Sequence, residues 1–471
     1  MAPKAYIGTL GCKVNQSDSA SLAEGLASAG FTVVGAAKDA DVCVLNTCCV
    51  TNEASRKSGQ AIRAAAKASP DAVIAVVGCL SQAERALVEG IAGVDYICGT
   101  KDRHFIVGKL AERFGLRPGA RAGLGPGGGA GVEPEAGVEP AILATPRSRA
   151  FIKVQDGCSQ GCSYCIVPTA RGEARSADPA WVLSEVARLG EGFRELVFTG
   201  IHVSSYGTGA WGAEGFGPGP HGPGGRPAAH GKGTVGLAGL VAMVASASGG
   251  FRIRLGSLEP QDVGGGFFDA LRATGRVCPH FHIPLQSGCD AVLRRMGRRY
   301  DAAGYASVIG AARAAFPDCS ITTDLMVGFP GEGEAEFAES ARFTESMGFM
   351  RVHAFRYSPK GGTPAAGYPG QVGGPTKRLR LREIQGIGGR SFEGYAAGRI
   401  GRDAEVLLES ASGDPADAPT GPGAKTSATL WEGYTGDYLR VYAHGPADLA
   451  GRLAKVRLTS RYKDGLYGAI L

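Results

Sequence analysis

Over residues 4–114, and again over 147–357, short apolar runs alternate with stretches of helical spacing. Strands separated by a dozen or more residues of helix cannot pair as hairpins, so this rhythm predicts parallel sheets with crossover helices. In the first block KAYIGTL (4–10), FTVV (31–34), VCVLN (42–46) and AVIAVV (72–77) read as strands. Helices are expected over 17–30, with Ser17 as N-cap and Gly30 at the C-terminal end, over 53–68, and from 81, where Ser81 and Glu84 form a capping box. The expected fold is a doubly wound α/β sheet. In the second block FIKVQ (151–155), ELVFT (195–199), FRIRL (251–255), HFHI (280–283), SITTDLMV (320–327) and MRVHAF (350–355) predict a partial (β/α)6 barrel. Five short runs, 404–408, 428–434, 438–442, 454–458 and 466–470, predict a small all-β barrel at the end.

Glycine tests this plan, because 75 glycines in 471 residues, spread evenly, would oppose any packed core. They are concentrated instead. The segment 115–146 holds nine glycines and five prolines, 207–233 holds eleven and four, and 410–426 is similarly rich. The expected organisation is a sheet domain over 1–114, a linker over 115–146, a barrel domain over 147–375 with a disordered insertion at 207–233, a basic connector over 376–402, and a terminal barrel over 403–471. The net charge of +6 permits an anionic partner without requiring one. No apolar run reaches 18 residues and the N-terminus lacks the apolar stretch of a signal peptide, so a cytoplasmic protein with no membrane association is expected. Its 12 cysteines are too few for a disulfide scaffold, and grouped cytosolic cysteines more often bind metal.

Two groups of cysteines stand out. QDGCSQGCSYCIVP sets Cys158, Cys162 and Cys165 in a C-x3-C-x2-C run directly after a predicted strand. Three thiolates do not complete a structural zinc site, but they can hold three irons of a 4Fe-4S cluster and leave the fourth open to a substrate. A zinc knuckle with a distant fourth ligand is the alternative. Cys12, Cys48 and Cys79 are far apart in sequence, yet each follows a predicted parallel strand, and such strand ends share one edge of the sheet. Separate burial as small core thiols is the alternative there. Cys43, Cys98, Cys278, Cys289 and Cys319 are expected to be core or loop thiols, and Cys49 a passive neighbour. Gly200, Gly256 and Gly331 would allow close backbone approach at strand ends, where Ser257, Glu259 and Gln286 offer polar contacts. In the tail, Trp431, Tyr434, Tyr438 and Tyr442 interleave with Arg440, Lys455 and Arg457. That pattern suits phosphate contact and base stacking, or simply a solvated face, since the domain carries seven positive and nine negative residues.

The C-x3-C-x2-C run with Tyr164 before its last cysteine resembles the radical S-adenosylmethionine superfamily. TLGCKVNQ, NTCCVTNEA, FTGIHVSSYG, RLGSLEP, HFHIPLQSGCDAVLRRM and TTDLMVGFPGE are similar to its methylthiotransferase branch. The resemblance implies S-adenosylmethionine and two 4Fe-4S clusters: a cofactor-cleaving one on Cys158, Cys162 and Cys165, and an auxiliary one on Cys12, Cys48 and Cys79. It also implies that Tyr164, Gly200, Ser257, Glu259 and Gln286 cradle the cofactor. The tail resembles a TRAM domain, which implies RNA contact by Trp431, Arg440, Lys455 and Arg457.

PTARGEARS, LWEGYTGDYLRVY and the ending DGLYG are most similar to the branch acting on threonylcarbamoyladenosine (t6A), next to the anticodon at position 37 of tRNA. That branch places a methylthio group on C2 of the base by radical chemistry. The implied partners are the t6A-containing anticodon loop, a low-potential electron donor of flavodoxin or ferredoxin type, and a sulfur donor. Isopentenyl-adenosine in tRNA or a ribosomal-protein aspartate is the alternative substrate. A non-catalytic iron–sulfur RNA-binding protein is the alternative from another class.

Overall fold

The computed structural model describes residues 2–116, 148–208, 210–211, 235–412 and 429–471. Most of the glycine-rich segments assigned to linker, insertion and loop lie outside these residues.

The first sheet has five parallel strands, β1 (Lys4–Thr9), β2 (Thr32–Val34), β3 (Val42–Thr47), β4 (Val73–Gly78) and β5 (Tyr96–Cys98), in the order β2-β1-β3-β4-β5. β3 is buried at every position because helices cover both faces, so its residues run apolar without alternation. One face packs Leu22 and Leu26 of α1 (Lys13–Ser28) against Ile106, Val107 and Leu110 of the later helix Phe105–Arg113. The other packs Ile62 and Ala65 of α2 (Asn52–Ala68) with Leu80 and Val88.

Two helix starts differ from the sequence reading. α1 begins at Lys13, a turn before Ser17, with Cys12 in the N-cap position and no side-chain cap. The capping box of Ser81 and Glu84 does not form. Glu84 instead breaks α3 (Cys79–Ala83) from α4 (Arg85–Glu89) and gives its carboxylate to Ser55 and to the buried Lys360 ammonium. A tertiary ion pair outweighs a local cap worth about 1 kcal/mol.

The central domain contains six parallel barrel strands: β6 (Arg149–Lys153), β9 (Glu195–Thr199), β11 (Arg252–Leu255), β12 (His280–His282), β13 (Ser320–Val327) and β14 (Arg351–Arg356). The short strands β7 (Gln155–Asp156), β8 (Arg175–Ser176) and β10 (Ala210–Trp211) form a side sheet. The ladders β6-β9-β11 and β12-β13-β14 meet through single bridges, Ile253 to Val277 and Ser257 to His282. The barrel stays open between β6 and β14. Ile152, Leu196, Phe198, Ile253, Leu255, Phe281, Ile321 and Leu325 pack outward under the helices. By strand alternation the inward faces carry Arg149, Glu195, Arg254, His280, His282, Thr322, Asp324 and His353.

The basic segment 376–402 is largely one helix, Gly374–Ala397, lying on β14. Two of its cations turn inward: Arg380 pairs with Glu332 and Lys377 donates to the Tyr357 carbonyl. The last domain is a closed barrel of β15 (Asp403–Ala411), β16 (Thr429–Thr435), β17 (Arg440–Gly445), β18 (Leu453–Tyr462) and β19 (Gly465–Ile470), in the order β15-β16-β17-β19-β18.

Glu195, fully buried, fastens this small barrel to the large one. It takes ion pairs from Arg149, Arg252 and Arg254. The same guanidiniums reach the carbonyls of Tyr434, Thr435 and Gly436 and the carboxylate of Glu409. Burial works against the Glu195 charge, but Arg254, Arg149 and Arg252 hold its pKa down at about 2. Glu195→Ala is therefore expected to cost about 3–5 kcal/mol in urea unfolding, since it strands three buried cations. Because the folded pKa is depressed, the stabilisation is complete above the ordinary value of 4.5 and fades as pH falls through about 2. The alanine variant should lack that part of the acid sensitivity.

Candidate active site

Cys12, Cys48 and Cys79 leave the adjacent strands β1, β3 and β4 at their C-terminal ends, on either side of the point where strand order reverses. Gly11 makes the approach possible. Its φ is +103°, and a Cβ there would lie 2.7 Å from the Cys48 Cβ. Asn15 straps the loops by donating to the Leu10 carbonyl (2.7 Å) and the Thr47 carbonyl (3.0 Å). Cys12 is exposed, while Cys48 and Cys79 are buried. Burial raises the Cys48 thiol, and raises Cys79 to about 11, while the Arg171 guanidinium pulls both the other way. Cys49 is buried beside them and spends its thiol on the Cys79 carbonyl, as a structural neighbour would. Cys43, Cys98, Cys278, Cys289 and Cys319 are buried.

The second triplet lies in the loop after β7. Gly157, at φ +71°, precedes it, and a Cβ there would sit 1.9 Å from the Glu173 carbonyl oxygen. The Cys158 N–H donates to the Gly172 carbonyl (2.9 Å) and the Cys165 N–H to the Cys162 carbonyl (3.1 Å). Burial raises Cys162, and Cys165 to about 12, against the opposing charge of Arg298, whose Nη1 is 3.2 Å from the Cys162 sulfur. His202 stands between Cys158 (4.0 Å from Nδ1) and Asp262 (2.5 Å from Nε2). Burial disfavours its charge, yet the Asp262 and Cys158 contacts hold its pKa up at about 9. Among the described residues no three His, Cys, Asp or Glu side chains converge closely enough for a single metal ion. A cubane takes each thiolate on a different iron and so needs them further apart.

The expected cofactor contacts fall at the same strand ends. Tyr164 packs edge-on to Phe329, with centroids 6.4 Å apart, and its hydroxyl meets Arg298. Glu259 pairs with Arg298. Ser257 bridges to His282 as β11 exits. Gln286 holds a left-handed φ of 63°, and its buried Oε1 has no partner among the described residues. A strained residue with an orphaned acceptor fits a site completed by a polar ligand. At Gly200 a Cβ would meet the Gln155 carbonyl at 2.9 Å, so its small size lets the end of β9 pack against Gln155.

A buried ionic joint ties the two triplets together. Arg171 donates to Asn15 (2.5 Å) and Asp18 (3.1 Å) of α1, to Asp156 (2.9 Å) of β7, and acts on Cys79. The next residue, Gly172, holds Cys158. Lys153 reaches Asp18 at 2.6 Å and Asp156 at 3.2 Å, and Arg103 reaches them at 2.9 and 3.7 Å. Burial would raise both carboxyls, but these three cations hold both well below the usual range. Sequence reasoning missed Arg171, Arg298 and His202. All three lie in or beside quoted motifs, but their partners are distant in the chain.

The expected RNA contacts divide. Trp431 is a correction: it is buried in the small barrel's core, with its indole N–H on the Pro446 carbonyl, and cannot stack a base. Tyr442 is buried too, while Tyr434 and Tyr438 stack on each other (4.9 Å) beneath Arg149. Arg440 is held by Tyr434 and Asp464. Lys455 and Arg457 are exposed beside Asp403.

Residues 4–99 match the uncharacterized protein family UPF0004 and residues 152–344 the Radical SAM superfamily. The chain is 33% identical over 464 residues to the threonylcarbamoyladenosine tRNA methylthiotransferase MtaB of Bacillus subtilis, covering 98% of this chain and 95% of that protein. It is also 33% identical over 477 residues to the tRNA-2-methylthio-N(6)-dimethylallyladenosine synthase of Oleidesulfovibrio alaskensis, covering 98% and 97%. Among solved structures, the radical S-adenosylmethionine methyltransferase TsrM of Kitasatospora setae superposes with a TM-score of 0.51 at 15% identity, covering 78% of this chain and 77% of that one. That likeness concerns the fold alone.

Arg171→Met is expected to cost about 3–5 kcal/mol by leaving two buried carboxylates undercompensated. Hydrogen exchange should quicken together in α1 and in the 156–172 loop. Faster exchange in only one of them would show that Arg171 does not join the domains.

Proposed function

We propose that this chain, which belongs to the radical S-adenosylmethionine methylthiotransferase family, methylthiolates C2 of t6A next to the anticodon of tRNA. The family works with S-adenosylmethionine and two 4Fe-4S clusters, which supply the electron, the radical and the methylthio group. In our reading Cys158, Cys162 and Cys165 hold the cofactor-cleaving cluster and leave one iron for the cofactor. Cys12, Cys48 and Cys79 hold the auxiliary cluster. The observation that carries this is the Arg171–Gly172 step: Arg171 is bound to Asn15 and Asp18 beside Cys12 and sets its charge on Cys79, and the Gly172 carbonyl accepts from the Cys158 N–H. Thiols tied through one joint would hold both clusters for a single reacting base.

The chain's own groups have definable tasks in this scheme. Arg298 and His202 place positive charge beside Cys162 and Cys158, and at Cys162 this charge offsets burial, which opposes the thiolate. Gln286 Oε1 is the acceptor awaiting a donor from the cofactor, and Tyr164 and Phe329 offer its apolar wall. Ser257 and Glu259 stand at the same rim. Lys455 and Arg457 remain as candidates for phosphate contact. A flavodoxin- or ferredoxin-type donor and a sulfur donor complete the scheme as proposed partners. The t6A substrate is favoured by the name of the Bacillus relative. The dimethylallyladenosine named for the Oleidesulfovibrio relative is the second reading.

Deleting the gene should abolish 2-methylthio-t6A among the nucleosides of total tRNA, as read by mass spectrometry. Its persistence at normal level would refute the substrate assignment. Anaerobically reconstituted protein should carry about eight irons, and changing Cys158, Cys162 and Cys165 together to Ala should remove about four. One zinc and no iron after anaerobic purification would contradict both cluster assignments.

A further inference from the structure

We propose that Lys13, His282 and His353, at the open side of the barrel beside Cys12, form a cradle for the anionic threonylcarbamoyl arm of the substrate base. The inference rests on the t6A reading and adds how that arm would be told from an apolar one.

Lys13 directly follows Cys12 and is exposed. It has no carboxylate partner among the described residues. Its ammonium lies 5.7 Å from the Tyr438 ring and acts electrostatically on both His280 and His353. The floor of the opening is Tyr438, a residue of the small barrel held at φ 66° and packed against His280 (4.8 Å) and Arg254 (4.6 Å). A non-glycine residue in that conformation persists only where its surroundings demand it. The wall is made by β12, β13 and β14. His282 is fixed by Thr322 (2.9 Å) and Asp324 (3.4 Å), and its ring lies 5.8 Å from that of His353. His353 is exposed on the edge strand and makes no hydrogen bond among the described residues.

A threonylcarbamoyl arm ends in a carboxylate and a hydroxyl. Among the described residues Lys13 and His353 are donors with no acceptor, and Asp324 can accept from the hydroxyl or the ureido N–H. A dimethylallyl arm would cover Lys13 and His353 without giving either a partner, which is costly. The polar wall thus selects for the charged arm.

The test uses reconstituted full-length enzyme and three anticodon stem-loops: one with t6A, one with t6A whose carboxylate is converted to a carboxamide, and one with isopentenyl-adenosine. Kd by fluorescence anisotropy, KM and kcat, and iron content are measured for wild type, His353→Leu and Lys13→Gln. Each variant should raise Kd and KM for the t6A loop about tenfold, with kcat changed less than about twofold, because a charge-assisted hydrogen bond of the bound state is lost. Wild type should lose a similar factor on the carboxamide loop, where the variants should add nothing. Equal losses on the acid and carboxamide loops, or wild type indifferent to the carboxamide, would overturn the cradle while leaving the t6A reading intact. Wild type that modifies the isopentenyl loop and ignores the t6A loop would overturn both. If Lys13→Gln lowers iron content, His353→Leu, remote from the cysteines in the chain, decides the outcome.

Discussion

Asp18 and Asp156 are buried carboxylates from different domains, and each is useless without the other's cations. Lys153, Arg103 and Arg171 are shared between them at 2.6–3.7 Å. Isolated, either charge would be expelled to water or neutralised; shared, they lock α1 of the sheet domain to β6 and β7 of the barrel. A buried ionic joint of this kind adds little net stability over an apolar one, but it tolerates only one geometry. One geometry is what two triplets of thiols on separate domains require. Arg171 is the member that reaches beyond the joint, to Cys79, so the lock and the chemistry share an atom group.

The same device recurs at the other end of the barrel, where Glu195 gathers three guanidiniums that also hold the backbone of β16. Charge therefore fastens a neighbouring domain to the large barrel at each of these two places. Its outward layer, Ile152, Phe198, Leu255, Phe281 and Leu325 under the helices, carries the apolar packing. The inward faces are left polar. A closed barrel would fill that space with branched apolar side chains. An open one with six strands keeps it for a ligand, with access between β6 and β14.

Much of this was legible because strands in a covered parallel sheet are apolar on both faces and announce themselves as runs. The positions of β3 and β9 follow from such runs alone, whereas β13 carries Thr322 and Asp324 on its inward face. Helix starts were less legible: α1 already begins at Lys13, a turn before Ser17, and Glu84 of the expected box is claimed by Lys360, 276 residues away. Trp431 was misread for a different reason. In a closed five-stranded barrel alternate residues face the core, and Trp431 shares its parity with the buried Gly433 and Thr435 rather than with Glu432 and Tyr434. Interleaved aromatic and basic residues do not reveal which parity is inside. The cysteine triplets were readable only as strand-end positions, whereas Arg171, Arg298 and His202 carried no signal, since a cation declares its purpose only when its partner is beside it.

The modest net charge of +6 also concealed where the charge is used. Around Asp18 and Asp156 stand four cations, with Arg175 joining at 3.9 Å, and around Glu195 stand three. Arg298 and His202 add positive charge at the second triplet. Burial by itself raises every thiol it covers, as at Cys79 and Cys165, and would keep them protonated. At Cys79 the opposing charge comes from Arg171, a cation that also joins the domains, whereas at Cys162 it comes from Arg298, which pairs with Glu259 inside the barrel domain. Around Cys79 the joint between the domains and the thiol thus draw on the same charge.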